Sequence, residues 1–420
     1  MGETVRVQPR TEVSKRWVGL FALAWLGVWL AQLTPFQLLL PQQINHCLGI
    51  GDTLGRDNWR HSLTQFGLVS GVSAVCALVA FPLAGSLSDR TSGRFGRRRP
   101  WIVGGLILFA VALMSLGALN TLWGITIGWS VAITGFCVCS AGLTALISDQ
   151  VPVDQRGVVS SWVSAPQAVG VIIGIALISA LGAGPVLGYT LTALLLLACA
   201  LPFAFWVTDP PLDNHLPPLT FRRMLGELWI SPREQPDFGW TLLGRILVNI
   251  GNALGTSLLL YFLQFGLHIH DPNGPLLSVT AVYMVFVIGA ALAGGVLSDR
   301  VGRRKPFVLA AGICQSGAAI VIASVLSLPA TMVAAALLGA GFGCFLAVDQ
   351  ALATQVLPDA AHSGKDLGIM NIAMAVPQAI GPLLGAWVIA AFGGFAALFI
   401  ASAVFGILGG AAVLPVKGVR

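Results

Sequence analysis

Residues 85–100 read Gly-Ser-Leu-Ser-Asp-Arg-Thr-Ser-Gly-Arg-Phe-Gly-Arg-Arg-Arg-Pro, and residues 295–306 read Gly-Val-Leu-Ser-Asp-Arg-Val-Gly-Arg-Arg-Lys-Pro. Each copy is a charged turn ending in proline, and each stands between apolar runs. A third echo follows in the same order, Pro166-Gln167 against Pro377-Gln378. Three matches in register mark a duplicated unit. A repeated bundle around a pseudo-two-fold axis is a common way for membrane carriers to frame a site near the bilayer midplane.

On either side of these turns the chain divides into apolar stretches of about 20 residues, the length that crosses a bilayer as a helix. They fall at 17–40, 64–86, 101–119, 121–147, 158–183, 187–207, 239–266, 276–297, 306–327, 329–355, 367–391 and 394–416. Composition agrees: 56% of the 420 residues are hydrophobic and 10% are charged, against about 25% charged in soluble domains. Fifty glycines fit helices that approach closely in lipid. The expected fold is an all-α membrane protein of twelve transmembrane helices in two pseudo-symmetric six-helix bundles, 1–207 and 239–420. A proline-rich cytoplasmic linker, 208–238, joins them and holds a short interfacial helix at 221–229. The hydrophilic start, with Arg6, Arg10, Lys15 and Arg16, does not read as a secretory signal.

With both termini cytoplasmic, every Lys and Arg falls at the cytoplasmic side except Arg56, Arg60 and Arg245. This bias sets the orientation and removes a nucleic-acid reading of the basic clusters. Short loops and spare termini point to a bacterial inner membrane. Of the seven cysteines only Cys47 falls in an outer loop, so no disulfide framework or metal site is expected. All six histidines are read as loop residues, and no cofactor is implied.

The two turns resemble the signature loop of the major facilitator superfamily, in which this element is a cytoplasmic latch. The resemblance assigns the latch to Gly85, Asp89, Arg90, Gly96, Arg97 and Arg98, and again to Gly295, Asp299, Arg300, Gly302, Arg303 and Arg304. It implies that Asp89 and Asp299 meet neighbouring helix ends while the arginines pair with carboxylates or lipid headgroups. A narrower likeness is to the plant sucrose/proton symporters and the related animal solute-carrier branch. It rests on the insertion between Arg90 and Gly96, on Gln32-Leu-Thr-Pro35 in helix 1, and on Asp149 at the end of helix 4. It implies a proton-coupled symporter of a disaccharide-like solute that works by alternating access, as a monomer, in contact with membrane lipids. Helices 7 to 12 carry no signature of that branch.

Ionisable residues inside a span are functional candidates because placing them in hydrocarbon is costly. Asp149 lies near the end of helix 4 and reads either as a gate pairing with loop arginines or as a proton site. Asp349 and Arg245 lie about 13 and 12 Å into helices 10 and 7 at 1.5 Å per residue. Their equal depth predicts a pair whose opening or protonation belongs to the transport cycle; the alternative is a static buried ion pair that fixes packing. Polar and aromatic stripes at helical spacing mark the solute path: Trp25, Trp29, Gln32 and Phe36; Ser160, Ser164 and Gln167; Arg245, Asn249, Asn252 and Thr256; Asn371 and Gln378. Amides and aromatic faces suit a neutral, hydroxyl-rich ligand, although any one of them can be packing glue between helices.

The rival within the superfamily is a proton-coupled drug or metabolite exporter. Such exporters carry an arginine in helix 4, and residues 121–148 contain none. An ATP-driven pump needs a phosphate-cradling Gly-x-x-x-x-Gly-Lys-Ser/Thr loop, and an intramembrane hydrolase needs a motif such as His-Glu-x-x-His; neither is present. No repeated filter loop indicates a channel. A receptor built on the same fold would bind its ligand without flux.

Overall fold

The computed structural model describes residues 12–49, 59–91, 93, 95–152, 155–209, 235–355 and 363–416. Most of the expected linker, its short helix included, lies outside these residues. The described chain is helical throughout, in twelve successive helices. They are α1 (Lys15–Cys47), α2 (Trp59–Arg90), α3 (Arg99–Leu116), α4 (Leu122–Gln150), α5 (Arg156–Ala180) and α6 (Pro185–Trp206), then α7 (Pro236–Gly266), α8 (Asn273–Val301), α9 (Lys305–Ser324), α10 (Leu328–Gln355), α11 (Ser363–Phe392) and α12 (Phe395–Ala411). Among the described residues nine are long and apolar enough to cross a membrane; α5, α11 and α12 contribute shorter apolar segments. Large apolar side chains face outward, Leu292 at 70% exposure and Phe392 at 69% among them. Such a surface needs lipid around it.

Local chemistry explains the ends of these helices. Pro100, Pro185, Pro236 and Pro306 occupy first turns, where a missing N–H costs nothing. Ser14 and Thr121 cap α1 and α4 by accepting from Trp17 N and Gly124 N. Gly302 ends α8 in the left-handed region, at φ 67°.

Two helices depart from regularity. After Pro35 the first helix widens into a π turn, Pro35–Leu39, before continuing to Cys47. The seventh is interrupted at Ser257–Leu258 and then takes its own π turn, Phe262–Gly266. Helix 1 therefore runs past its expected end at residue 40. Cys47 closes the helix instead of lying in a loop, and His46 and His61 sit in the ends of α1 and α2, not in loops. The apolar count underestimated both helices because their polar ends remain wound.

The described residues form two compact units. One holds the chain up to Gln43 and from Val75 to the end of α6; the other holds Ile44–Ala74 and everything from α7 onward. Inside the first, α3 packs on α4 and α6, and α1 on α5 and α6. Inside the second the corresponding pairs recur: α9 on α10 and α12, and α7 on α11 and α12. The duplicated sequence thus gives duplicated packing. Backbones come close where α8 crosses α10: a Cβ on Gly339 or Gly343 would meet Tyr283 O at 2.3 Å or Val287 O at 2.1 Å. Backbones approach there only because those side chains are absent, the usual device of helix association in lipid.

Candidate functional site

In the first unit, the end of α2 and the turn before α3 converge on the end of α4. Arg98 is the pivot, 3% exposed. Its Nη2 donates to Asp89 Oδ1, its Nε to Asp149 Oδ2 at 2.9 Å, and its Nη1 to Ser88 Oγ at 2.5 Å. Arg97 donates to the same Asp149 oxygen. Asp149 is therefore held by two guanidinium groups at the mouth of α4, just beyond its apolar span. Burial pushes its carboxyl up, and the hydrogen bonds and charges of Arg98 and Arg97 outweigh that, holding it below the usual aspartate range.

The sequence reading placed Asp89 at a helix end, where its carboxylate would meet the dipole. The structure gives that part to another residue. Asp209, just after α6, accepts from Arg99 N at 2.7 Å and from Arg98 N, the exposed amides at the start of α3. Asp89 instead neutralises Arg98. Gly96 has φ +93°, and a Cβ there would stand 2.2 Å from Asp209 O, so the turn admits glycine alone. Gly85 has open space around it. Arg90 folds back on its own helix, donating to Ser86 O at 3.3 Å. In the second copy a Cβ added at Gly295 would stand 3.7 Å from Ala347 Cβ, an ordinary contact, and Lys305 donates to Val416 O beside Arg303 and Arg304. The side chain of Asp299 lies outside the described residues, so no counterpart to the Asp89–Arg98 pair is described at Arg304, which holds the place of Arg98 in the second copy.

The second unit buries the expected pair. Arg245, 1% exposed, places Nε 3.1 Å from Oδ2 of Asp349, 3% exposed. The two are close enough for an ion pair but off hydrogen-bonding geometry, and Arg245 Nη1 and Nη2 have no acceptor among the described residues. Along the same face of α7, Asn249 donates to Arg245 O at 2.8 Å, and Asn252 accepts from Tyr283 of α8 at 2.9 Å. Thr256 turns back to Asn252 O. Part of this stripe is thus packing glue, while Arg245 and Asn249 Oδ1 are left buried with unused hydrogen-bonding capacity. Beneath them Val248, Phe342, Phe345, Val348 and Leu352 form a continuous apolar layer.

In helix 1 the aromatic stripe is real. Trp29 stacks on Trp25 at 5.7 Å and lies against Phe136 of α4 at the same distance, and Phe36 stacks on Trp129 at 6.3 Å. On the same helix Gln32 Oε1 is buried with no donor among the described residues. Gln167 and Gln378 are half-buried; the side chains of Ser160, Ser164 and Asn371 lie outside the described residues.

Sequence reasoning missed a polar network inside the second unit. Ser62 Oγ bonds Asn45 Oδ1 and lies 3.0 Å from Tyr261 OH, while Asn45 donates to Gln264 at 3.3 Å. Trp59 stacks between Phe265 and Phe395, at 5.9 and 5.2 Å. The π turn of α7 carries Gln264 and Phe265 into this cluster, with Tyr261 just before it. The faint signal for it was Tyr261, one of three tyrosines in the chain.

An all-helical fold with apolar outer faces, duplicated packing and charged groups sealed inside defines a polytopic membrane protein. The chain belongs to the Major Facilitator Superfamily, whose profile matches residues 18–314 and 276–419. Solved structures share its fold. A bacterial homologue of the human lysosomal transporter Spinster, inward-facing and unoccupied, aligns with a TM-score of 0.69 at 14% identity, over 96% of this chain and 97% of its own. A POT family transporter in complex with 5-aminolevulinic acid aligns at 0.73 and 13%, over 98% of each chain. A mutant of the nucleoside transporter NupG aligns at 0.71 and 11%, over 94% and 99%.

Proposed function

We propose that this transporter is a proton-coupled symporter of a sugar-like, hydroxyl-rich solute, acting by alternating access as a monomer in a bacterial cytoplasmic membrane with both termini inside. The observation that carries this reading is the Arg245–Asp349 pair, sealed in the second unit between helices that cross the membrane. A carboxylate in a dry site holds a proton readily, and the neighbouring guanidinium opposes that, so separating the two toggles protonation. Asp349 is the proton carrier and Arg245 its control. The six-helix halves 1–207 and 239–420 are the moving bodies.

Asp149 takes the second role, as a gate. Arg97, Arg98 and Asp89 hold it in a charge cluster that is neutral overall, and breaking that cluster releases the end of α4 from the α2–α3 turn. Gly96 and Asp209 give the turn its shape, and the second copy at Gly295 to Arg304 acts in the same way on α8 and α9. Trp29, Gln32 and Gln167 are the candidate solute contacts of the first unit and Asn249 and Gln378 those of the second, with Asn371 a candidate from sequence alone; Asn252 is shared with Tyr283. Two of the solved structures name small solutes of different chemistry, 5-aminolevulinic acid and nucleosides, which supports transport in general and leaves the sugar to the residues here.

The test is uptake of labelled sucrose and maltose into proteoliposomes, with and without a pH gradient directed into the vesicle. Gradient-driven accumulation supports the reading. Uptake that ignores the gradient contradicts it.

A further inference from the structure

Arg245 presents five N–H donors on a planar fork. Asp349 stands at Nε alone, 3.1 Å away and off hydrogen-bond geometry, which leaves the edge formed by Nη1 and Nη2 without an acceptor among the described residues although the side chain is 1% exposed. One turn further on, Asn249 uses its Nδ2 on Arg245 O and leaves Oδ1 buried with no donor. Leaving a buried donor dry costs about 1–3 kcal/mol, more when it is charged. A guanidinium edge with two parallel N–H groups matches two oxygens of one carboxylate or phosphate.

We infer that the Nη1–Nη2 edge of Arg245 docks an anionic group of the solute, a carboxylate or phosphate, and that Asn249 Oδ1 accepts from an adjacent hydroxyl. This rests on the proposed placement of the Arg245–Asp349 pair on the transport path. The solute is then an acidic saccharide rather than a neutral one. Charge balance gives the site its logic. The resting pair is neutral, so an incoming anion takes the guanidinium from Asp349, and Asp349 takes a proton from the aqueous side that supplied the solute. Anion and proton enter together with no net charge left in the membrane. Among the described side chains, the titratable or charged groups on the helices packed against α10 are Asp237, Arg245 and Tyr261 on α7, Tyr283 and Arg300 on α8, and Lys305 and Cys314 on α9. Of these, Arg245 alone stands within ion-pair distance of Asp349.

The test is the melting temperature of the purified full chain in detergent, titrated with sodium acetate and, separately, with sodium phosphate at constant ionic strength. The wild type is expected to gain stability in a saturable way with at least one of the two, acetate marking a carboxylate site and phosphate a phosphate site. Asp349→Asn, which removes the competing carboxylate, should reach half-saturation at about tenfold lower concentration, roughly the worth of one charge-assisted hydrogen bond. Arg245→Lys should respond weakly and Arg245→Gln not at all. Identical, unsaturable curves in all forms overturn the inference, as does an Asp349→Asn protein that binds no more tightly than wild type; the latter decides even where Arg245→Gln fails to fold. Gradient-driven sucrose uptake with a flat anion response sinks this inference and leaves the proton symporter standing. A saturable anion response with no gradient-driven uptake of either sucrose or glucuronate does the reverse.

Discussion

Arg245 Nε lies 3.1 Å from Asp349 Oδ2, and the two side chains are 1% and 3% exposed. Removing one partner of such a pair strands the other, which costs about 3–5 kcal/mol, whereas replacing both with apolar side chains is far milder. Arg245→Met alone and Asp349→Leu alone should therefore each lower stability by several times more than the double variant Arg245→Met/Asp349→Leu. Thermal unfolding of the four forms in one detergent checks this. A double variant as unstable as the sum of its single changes would contradict it.

The charge cluster of Arg97, Arg98, Asp89 and Asp149 has a pH dependence whose sign follows from Asp149. Its folded carboxyl is held below the usual aspartate range, so its contribution to stability is complete above the unfolded value of about 3.9 and is lost as pH falls through the folded one. Wild type should exceed Asp149→Asn in melting temperature at neutral pH. That difference should shrink from about pH 5 downward, and melting curves between pH 7 and pH 3 read it directly. A gap that stays constant would mean that Asp149 is not ionised in the cluster.

Gly343 and Gly85 make a contrasting pair. A Cβ on Gly343 would stand 2.1 Å from Val287 O, against backbone that cannot yield, while one on Gly85 meets nothing within 4 Å. Gly343→Ala should separate α8 from α10 and cost about 1–3 kcal/mol by overpacking. Gly85→Ala should leave stability within about 0.5 kcal/mol of wild type. Paired melting measurements check both.

At Gly96, φ is +93° and Asp209 O lies 2.2 Å from the place a Cβ would take. Gly96→Ala should strain the turn and displace Asp209 from the first amides of α3, costing about 1–3 kcal/mol. Asp209→Asn keeps the acceptor but loses the charge at the helix start, which is worth about 0.3–1 kcal/mol. Denaturation of the two variants should rank them in that order.

What could be read from sequence follows the reach of periodic signals. Twelve apolar runs gave twelve helices because bilayer thickness sets run length, a property of each segment alone. The Arg245–Asp349 pairing was legible because depth can be counted at 1.5 Å per residue from two helix ends on the same side. The pairing of Asp149 with loop arginines was legible as one of two readings. Asp209 was not, since a helix start accepts a carboxylate from any part of the chain and residue 209 carries no spacing signal relative to Arg98. The network of Asn45, Ser62, Tyr261 and Gln264 escaped for the same reason: its members are up to 219 positions apart and each looks like an ordinary polar residue near a helix end. The π turns at Pro35–Leu39 and Phe262–Gly266 were hidden because one extra residue per turn barely alters an apolar pattern.

The central claim, that Asp349 carries the proton under the control of Arg245, is tested most directly by comparing accumulation with exchange in Asp349→Asn. Proteoliposomes would be given labelled sucrose or labelled glucuronate, whichever the wild type concentrates against an inward pH gradient. The account predicts that Asp349→Asn still exchanges labelled for unlabelled solute across the membrane but no longer concentrates it when the gradient is applied. A variant that accumulates solute as the wild type does, with the same response to the gradient, would contradict it.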